Sequence, residues 1–177
     1  METSYSGEIL KLTDISVQGG YPEQQRLVEH FTGYAMEAIC GKRIAQQCTV
    51  NIELVANLEK TQGFLGFCIW TDEPYRGREF DIEIDANLHP RFLLTTLAHE
   101  LVHIKQYAKG ELRCLLTTAT EQSWHGKRYK CRDITVREST RLPWEVEARG
   151  LEEQLFIEWT EDCNIDDDWT YLNIHVD

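Results

Sequence analysis

The segment Leu97-Ala-His-Glu-Leu-Val-His-Ile104 places two histidines and a glutamate inside a run of apolar residues. Apolar side chains recur on nearly every side of this run when it is drawn as a helix, which predicts a buried helix over residues 90–109. Pro90 stands at the first position, where a helix tolerates proline best, and Gly110 marks the end. The rest of the fold is expected to pack around this helix.

The pattern HExxH in this segment indicates a metal site. His99 and His103 are four residues apart, so they project to the same side of the helix and can bind one ion through their ring nitrogens. Glu100 lies about 100° round the helix, where it can act on a metal-bound water without being a ligand. Zinc lowers the pKa of bound water to about 7, and a neighbouring carboxylate can take its proton. We therefore expect one Zn²⁺ ion with Glu100 as general base.

A third protein ligand has to come from elsewhere in the chain. Glu145 is the preferred candidate, because it falls in the first turn of a helix that Pro143 begins. Ala148, three residues on, is small enough to let that helix approach the histidine helix closely. His125 and Glu147 remain alternative ligands.

The remaining pattern predicts a single α+β domain over residues 1–177: an N-terminal helix, a small mixed sheet, the buried active-site helix, a hairpin and a C-terminal helix carrying the third ligand. The helices are expected at 22–40, 90–109 and 143–159. The strands are expected at 49–56, 64–70 and 78–85, with a possible short strand at 170–174. The hairpin is expected to have arms at 123–129 and 133–136. The nearly continuous apolar run at 64–70 favours a central strand.

The sequence also offers candidates for the strand that binds the substrate and for the side chain that stabilises the oxyanion. Strand 78–85 precedes the active-site helix, and we expect it to form a sheet edge where a peptide pairs. Its outward acids would favour a basic peptide, although charged edges also serve simply to block aggregation. These acids are Glu79, Asp81 and Glu83. The candidates for stabilising the oxyanion of the reaction are Tyr107, His125, Tyr129 and Tyr171.

Composition narrows the class of protein. The net charge is −12, from 18 basic and 30 acidic residues, so phosphate backbones are repelled and nucleic acid is an unlikely partner. No apolar run is long enough to span a membrane, and the N-terminus does not resemble a signal peptide, so a cytoplasmic protein is expected. The six cysteines form no CxxC pair, and we expect reduced, mostly buried thiols.

Three segments together resemble a known family: 97–106, 124–129 and 143–148. The chain is similar to HExxH zinc peptidases of the gluzincin type, especially small SprT-like proteins of bacteria and phages. This resemblance implies a zincin-like fold and a zinc-dependent peptidase acting on a protein or peptide. It also implies Glu145 as third ligand, although Arg149 stands where gluzincins often have an acidic residue or asparagine.

Two other functions stay open. SprT-like proteases take their third ligand from a histidine in an HG pair, which His125-Gly126 could imitate, and they cleave proteins crosslinked to DNA. The chain could also be a non-enzymatic, zinc-stabilised binding protein. Replacing Glu100 by glutamine would separate the enzyme from the binding protein.

Overall fold

Helices and strands alternate along the chain, and the fold class is α+β. The structure, a computed structural model, describes residues 14–71, 77–114 and 121–163. The helices are α1 (Pro22–Cys40), α2 (Lys42–Ala45), α3 (Leu58–Gln62), α4 (Pro90–Ala108), α5 (Val136–Ser139) and α6 (Pro143–Asp162). The strands are β1 (Asp14–Gly19), β2 (Thr49–Val55), β3 (Gly66–Trp70), β4 (Glu79–Asp85), β5 (Leu112–Cys114), β6 (Glu121–Trp124) and β7 (Lys127–Lys130). The predicted strand at 170–174 lies outside the described residues.

The first four strands form one mixed sheet in the order β1-β2-β4-β3. β1, β2 and β4 run parallel, and β3 pairs antiparallel with β4. Alternation places Val50, Ile52 and Leu54 of β2 in the core, while Asn51 and Glu53 face solvent. Helices α1 and α4 pack on the buried face, which fixes α4 against the sheet.

The prediction that strand 78–85 forms a sheet edge is wrong, because β4 lies between β2 and β3 and has a partner on each side. Glu79, Asp81 and Glu83 lie on the outer face of the sheet, and Asp81 accepts a hydrogen bond from Asn51 of β2 at 2.9 Å. The alternating sequence indicated correctly which face of the strand is buried. It carried no information about which strands lie beside it.

β3 lies at one edge of this sheet, and β1 lies at the other. The prediction of a central strand at 64–70 is therefore also wrong. Its apolar sequence has a different cause, since the strand packs against α4. Ile69 on β3 is 49% exposed, which a strand enclosed on both faces would not allow. Among the described strands β3 therefore has a partner on one side only, and it packs against α4.

Helix α4 lies in the centre of the fold, as its sequence predicts. It contacts α6 on one side and α1 and the sheet on the other, and Leu97, Leu101 and Ile104 are fully buried. The predicted helix at 22–40 is α1, and the third predicted helix is α6, which ends at Asp162 rather than near residue 159. None of the helices in the described ranges combines the length and the apolar character needed to cross a bilayer.

A second, three-stranded antiparallel sheet has the order β5-β6-β7. The predicted hairpin arms at 123–129 and 133–136 are wrong, because the chain turns earlier. His125 and Gly126 have φ of 46° and 84°, the backbone of a two-residue type I′ turn between β6 and β7. Residues 133–136 form no strand; Thr135 caps the short helix α5 there instead.

Candidate metal centre

Two imidazole rings on α4 face each other across one helical turn. The Nε2 atoms of His99 and His103 are 3.2 Å apart, and both side chains are largely buried. Two basic nitrogens this close repel each other unless a proton or a cation lies between them. The spacing of four residues in the sequence produces this arrangement directly.

Glu145 brings its carboxylate to the same point from α6. Its Oε2 is 3.4 Å from Nε2 of His99, and its Oε1 is 3.4 Å from Nε2 of His103. Pro143 begins α6, so Glu145 falls in the first turn as predicted. Ala148 is fully buried where α6 packs against α4, and its small side chain permits the close approach of the two helices.

The distances between these groups fit a zinc site. Ligands about 2.0–2.1 Å from a zinc ion, at tetrahedral angles, lie about 3.3–3.4 Å from one another. The Nε2–Nε2 separation of 3.2 Å is close to that value, and each Nε2 lies 3.4 Å from one of the two carboxylate oxygens of Glu145. Within the described residues, His99, His103 and Glu145 form the one group of ligand atoms close enough to share an ion. Three protein ligands leave a fourth tetrahedral position for water or substrate, as in catalytic zinc sites.

Hydrogen bonds hold both rings in the orientation that a metal needs. Nδ1 of His99 lies 2.8 Å from Oε2 of Glu152, and Nδ1 of His103 lies 2.9 Å from Oε1 of Gln106. Because both partners are acceptors, each Nδ1 carries a proton, which leaves each Nε2 as the nitrogen that would bind a metal. The ligand nitrogens are thus selected by residues outside the metal group.

Sequence reasoning missed Glu152 and Gln106. Glu152 follows Glu145 by seven residues, about two helical turns, so it lies on the same face of α6. Gln106 follows His103 by three residues on α4. Both spacings were visible in the sequence, but they acquire meaning only once the two helices are known to cross at this point.

Gln106 also connects the two ligand-bearing helices. It is fully buried, and its amide nitrogen donates to the carbonyl oxygen of Trp144 and to Oε2 of Glu147, each at 2.9 Å. Trp144 immediately precedes Glu145. The same amide that orients His103 therefore fixes the start of the helix that carries the third carboxylate.

Arg149 occupies the position where the family resemblance led us to expect a supporting acid. Its guanidinium lies 3.8 Å from Oε2 of Glu145, and it donates to the carbonyl oxygen of Thr140. Arg149 thus acts on the carboxylate of Glu145 rather than on a histidine. Glu152, one turn further along α6, supports His99 instead.

The electrostatics of this group favour a cation. Burial raises the pKa of Glu145, but the hydrogen bond with His99 and the charge of His103 outweigh it, and the pKa is lowered. Burial lowers the pKa of His99, yet its bonds to Glu145 and Glu152 raise it to about 9. Burial lowers the pKa of His103. The site therefore presents an ionised carboxylate beside a protonated His99, whose proton a metal would replace.

Glu100 is buried beside this group and is only 7% exposed. No described residue forms a hydrogen bond or an ion pair with its carboxylate, which is costly for a buried acid. Burial raises its pKa to about 7, with His99 opposing the shift and Glu145 and Glu152 adding to it. A carboxyl group with a pKa near neutrality can both accept and donate a proton.

The two alternative ligands lie elsewhere. His125 is exposed in the β6–β7 turn, where its backbone N–H donates to the carbonyl oxygen of Glu111 at 2.8 Å. Glu147 forms an ion pair with Lys105 at 2.7 Å and accepts from Gln106. The structure brings neither side chain to the imidazole nitrogens of His99 and His103.

The three tyrosine candidates for an oxyanion donor differ in where they lie and in what their rings contact. Tyr107 packs its ring against Trp70 of β3, and its pKa is raised by burial and by the charges of Cys114, Cys68 and Glu145, so its hydroxyl stays protonated. Tyr129 packs edge-on against Trp144. Tyr171 lies outside the described residues.

Comparison with protein-family models, with curated proteins and with solved structures gave no match for this chain. The resemblance to gluzincin and SprT-like proteins therefore rests on segments 97–106, 124–129 and 143–148. What the site can do has to be inferred from its own geometry.

Proposed function

We propose that this protein is a zinc-dependent peptidase. One observation carries the proposal: the Nε2 atoms of His99 and His103 lie 3.2 Å apart, and each is 3.4 Å from a carboxylate oxygen of Glu145, so the three side chains are close enough to bind one zinc ion. A buried carboxylate without a described partner, Glu100, lies next to them. This combination of an open metal position and a neighbouring base is the requirement for hydrolysis by an activated water.

The residues have distinct roles in holding the metal. His99, His103 and Glu145 would be its ligands, while Glu152 and Gln106 keep the imidazoles in the right tautomer. A bound zinc ion supplies a Lewis acid and lowers the pKa of a water molecule. The order of sheet, HExxH helix and ligand helix supports a zincin-like topology.

Glu100 performs the proton transfers in this proposal. Its carboxylate takes the proton of the attacking water and passes it to the leaving amine, which suits a pKa of about 7. Tyr107 is the preferred oxyanion donor, because it follows His103 by one turn of α4 and its hydroxyl stays protonated.

The free edge of β3 is the preferred place for the reacting segment of a substrate. β3 packs against α4, the helix that carries the proposed base Glu100. β3 has β4 as its sole partner among the described strands, and an extended peptide could pair with its other side. This assignment replaces the role we expected for strand 78–85.

The protein is proposed to work in the cytoplasm. All six cysteines are free, which fits a reducing compartment. A protease acting on DNA-bound proteins would, by the family resemblance, use His125 at the metal. The position of His125 in an exposed turn gives that alternative no support.

The test is hydrolysis of a quenched fluorescent peptide library by the zinc-loaded protein and by Glu100→Gln. We expect both proteins to bind one zinc ion, and the variant to be at least ~100-fold slower, the scale of a lost general base. Equal hydrolysis by both would contradict the proposal. Full zinc occupancy with no hydrolysis by the unmodified protein would favour a zinc-stabilised binding protein instead.

A further inference from the structure

The edge strand β7 carries an unusual concentration of positive charge for this protein. Lys127, Arg128 and Lys130 are exposed, whereas the whole chain has a net charge of −12. Glu121 of β6 lies opposite Lys130 in the sheet register, whereas no described carboxylate forms an ion pair with Lys127 or Arg128. Lys127 does lie over the ring of Tyr129, at 5.2 Å from the ring centroid, so it is held along the strand.

The backbone of β7 is available on one side. It pairs with β6 in the register Trp124↔Lys127 and Ser123↔Arg128, and has no second described partner. Across a two-residue turn the closing pair, Trp124 and Lys127, exchanges hydrogen bonds. The main-chain N–H and C=O groups of Arg128, and of Lys130 two residues on, therefore point away from β6.

This edge lies next to the proposed metal site. The rings of Trp124 and Tyr129 pack on Trp144, with centroids 6.3 and 5.5 Å away. Trp144 directly precedes Glu145 and is held by the amide of Gln106. One layer of aromatic side chains thus separates β7 from the residue that would bind the metal.

We propose that β7 is a second substrate-binding surface, on which an extended acidic segment of a protein pairs as a fourth strand of the β5-β6-β7 sheet. Main-chain hydrogen bonds to Arg128 and Lys130 would supply affinity, and the three cations would select carboxylates. The inference rests on the proposed peptidase function, since it names the class of substrate that this site receives.

A strand edge favours a peptide over nucleic acid. Paired N–H and C=O groups match another backbone, and a phosphodiester chain offers no N–H group to pair with them. A long polyanion would also approach the acidic remainder of the surface. A short peptide bound to a four-residue strand interacts electrostatically mainly with charges within about 8 Å, because salt at physiological ionic strength screens charges further away.

The first test measures binding with the zinc-loaded full chain carrying Glu100→Gln, which prevents cleavage. The probe is a fluorescein-labelled twelve-residue peptide of alternating Glu and Thr, followed by fluorescence anisotropy. We expect it to bind, and its Lys/Thr counterpart to fail. Adding Arg128→Glu with Lys130→Glu should weaken binding by roughly tenfold or more.

The matched control reverses the charge of one lysine and one arginine elsewhere on the protein. Lys42→Glu with Arg43→Glu changes the net charge equally on exposed helix α2 and should alter the dissociation constant less than about twofold. Equal weakening by the two double variants would show that overall charge, rather than β7, attracts the peptide. That result would overturn the proposal.

The second test addresses the backbone. Arg128→Pro removes the outward N–H at an edge position that tolerates proline, and Arg128→Ala removes only the charge. We expect the proline variant to bind at least ~5-fold more weakly than the alanine variant, the scale of one lost hydrogen bond. Circular dichroism and zinc content confirm that each variant is folded. Equal affinities would exclude strand pairing.

The remaining outcomes separate this inference from the function itself. If a 20-nucleotide single-stranded DNA displaces the peptide and binds more tightly, the surface is a nucleic-acid site and the inference is wrong. Peptide hydrolysis without binding at β7 refutes the second surface alone. Binding at β7 without any hydrolysis refutes the peptidase function alone.

Discussion

Glu152 offers a sharp test of how the site is built, because it touches His99 and not the metal position. Its Oε2 lies 2.8 Å from Nδ1 of His99. In Glu152→Ala the ring loses the acceptor that fixes its tautomer and orientation. Removing such a supporting partner costs about 10–100-fold in metal affinity, equivalent to about 1.4–2.7 kcal/mol.

Glu153→Ala is the matched control. Glu153 is the next residue on the same helix, undergoes the same change in helix propensity, and forms an exposed ion pair with Arg91. An exposed pair contributes about 0–1 kcal/mol to stability and contacts no ligand. The control should therefore lower stability slightly and leave zinc affinity unchanged.

The assay is competition for zinc between each protein and a chromophoric chelator of known affinity. We expect Glu152→Ala to release zinc at a chelator concentration about 10–100-fold lower than the unmodified protein and Glu153→Ala do. If the two variants hold zinc equally well, then Glu152 does not orient His99. The reasoning about the imidazole tautomers would then be refuted.

Further predictions concern the ligand itself, the metal and the thiols. Glu145→Gln should weaken zinc binding by more than the ~100-fold of a supporting residue, in the same chelator competition, and an unchanged affinity would exclude Glu145 as a ligand. Zinc at 100 times its dissociation constant stabilises the folded state by about 2.7 kcal/mol, so removing zinc with a chelator should lower the Tm by about 5–10 °C in calorimetry. An unchanged Tm would count against a site that forms only in the folded state. Burial raises the pKa of Cys40 to about 12, against about 8.5 for a free thiol, so Cys40 should resist iodoacetamide at pH 8 until the protein unfolds. Because the unfolded thiol ionises first, the free energy of unfolding should fall as pH rises from about 9 to 12; rapid alkylation of Cys40 in the native protein would contradict its burial.

The parts of the fold that the sequence predicted are those with a local cause. Helix α4 follows from its apolar periodicity and from Pro90, and the position of Glu145 follows from Pro143, which begins α6. The HExxH spacing alone brings the two imidazoles together. Each of these inferences needs only the geometry of one helix.

The errors concern relations between elements. Alternation in β4 indicated its buried face, but the neighbouring strands β2 and β3 are set by topology, so the edge was placed on the wrong strand. The turn at His125-Gly126 depends on two residues with positive φ, and histidine is not a typical turn signal. β1 was missed because its sequence is half-polar and it is defined mainly by its pairing with β2.

The supporting residues of the site could not be predicted for the same reason. Glu152 and Gln106 become significant only where α6 crosses α4. Glu147 was an alternative ligand in the sequence analysis because it is an acidic residue close to Glu145 on the same helix. In the folded chain it is paired with Lys105 instead.

The central claim is that one zinc ion is held by His99, His103 and Glu145. Crystals of the zinc-loaded protein, measured at the zinc absorption edge, test it most directly through the anomalous difference map. The account predicts one strong peak about 2.0–2.2 Å from Nε2 of His99, Nε2 of His103 and the carboxylate of Glu145. A peak bound by His125 in place of Glu145, or no peak between the two imidazoles, would contradict it.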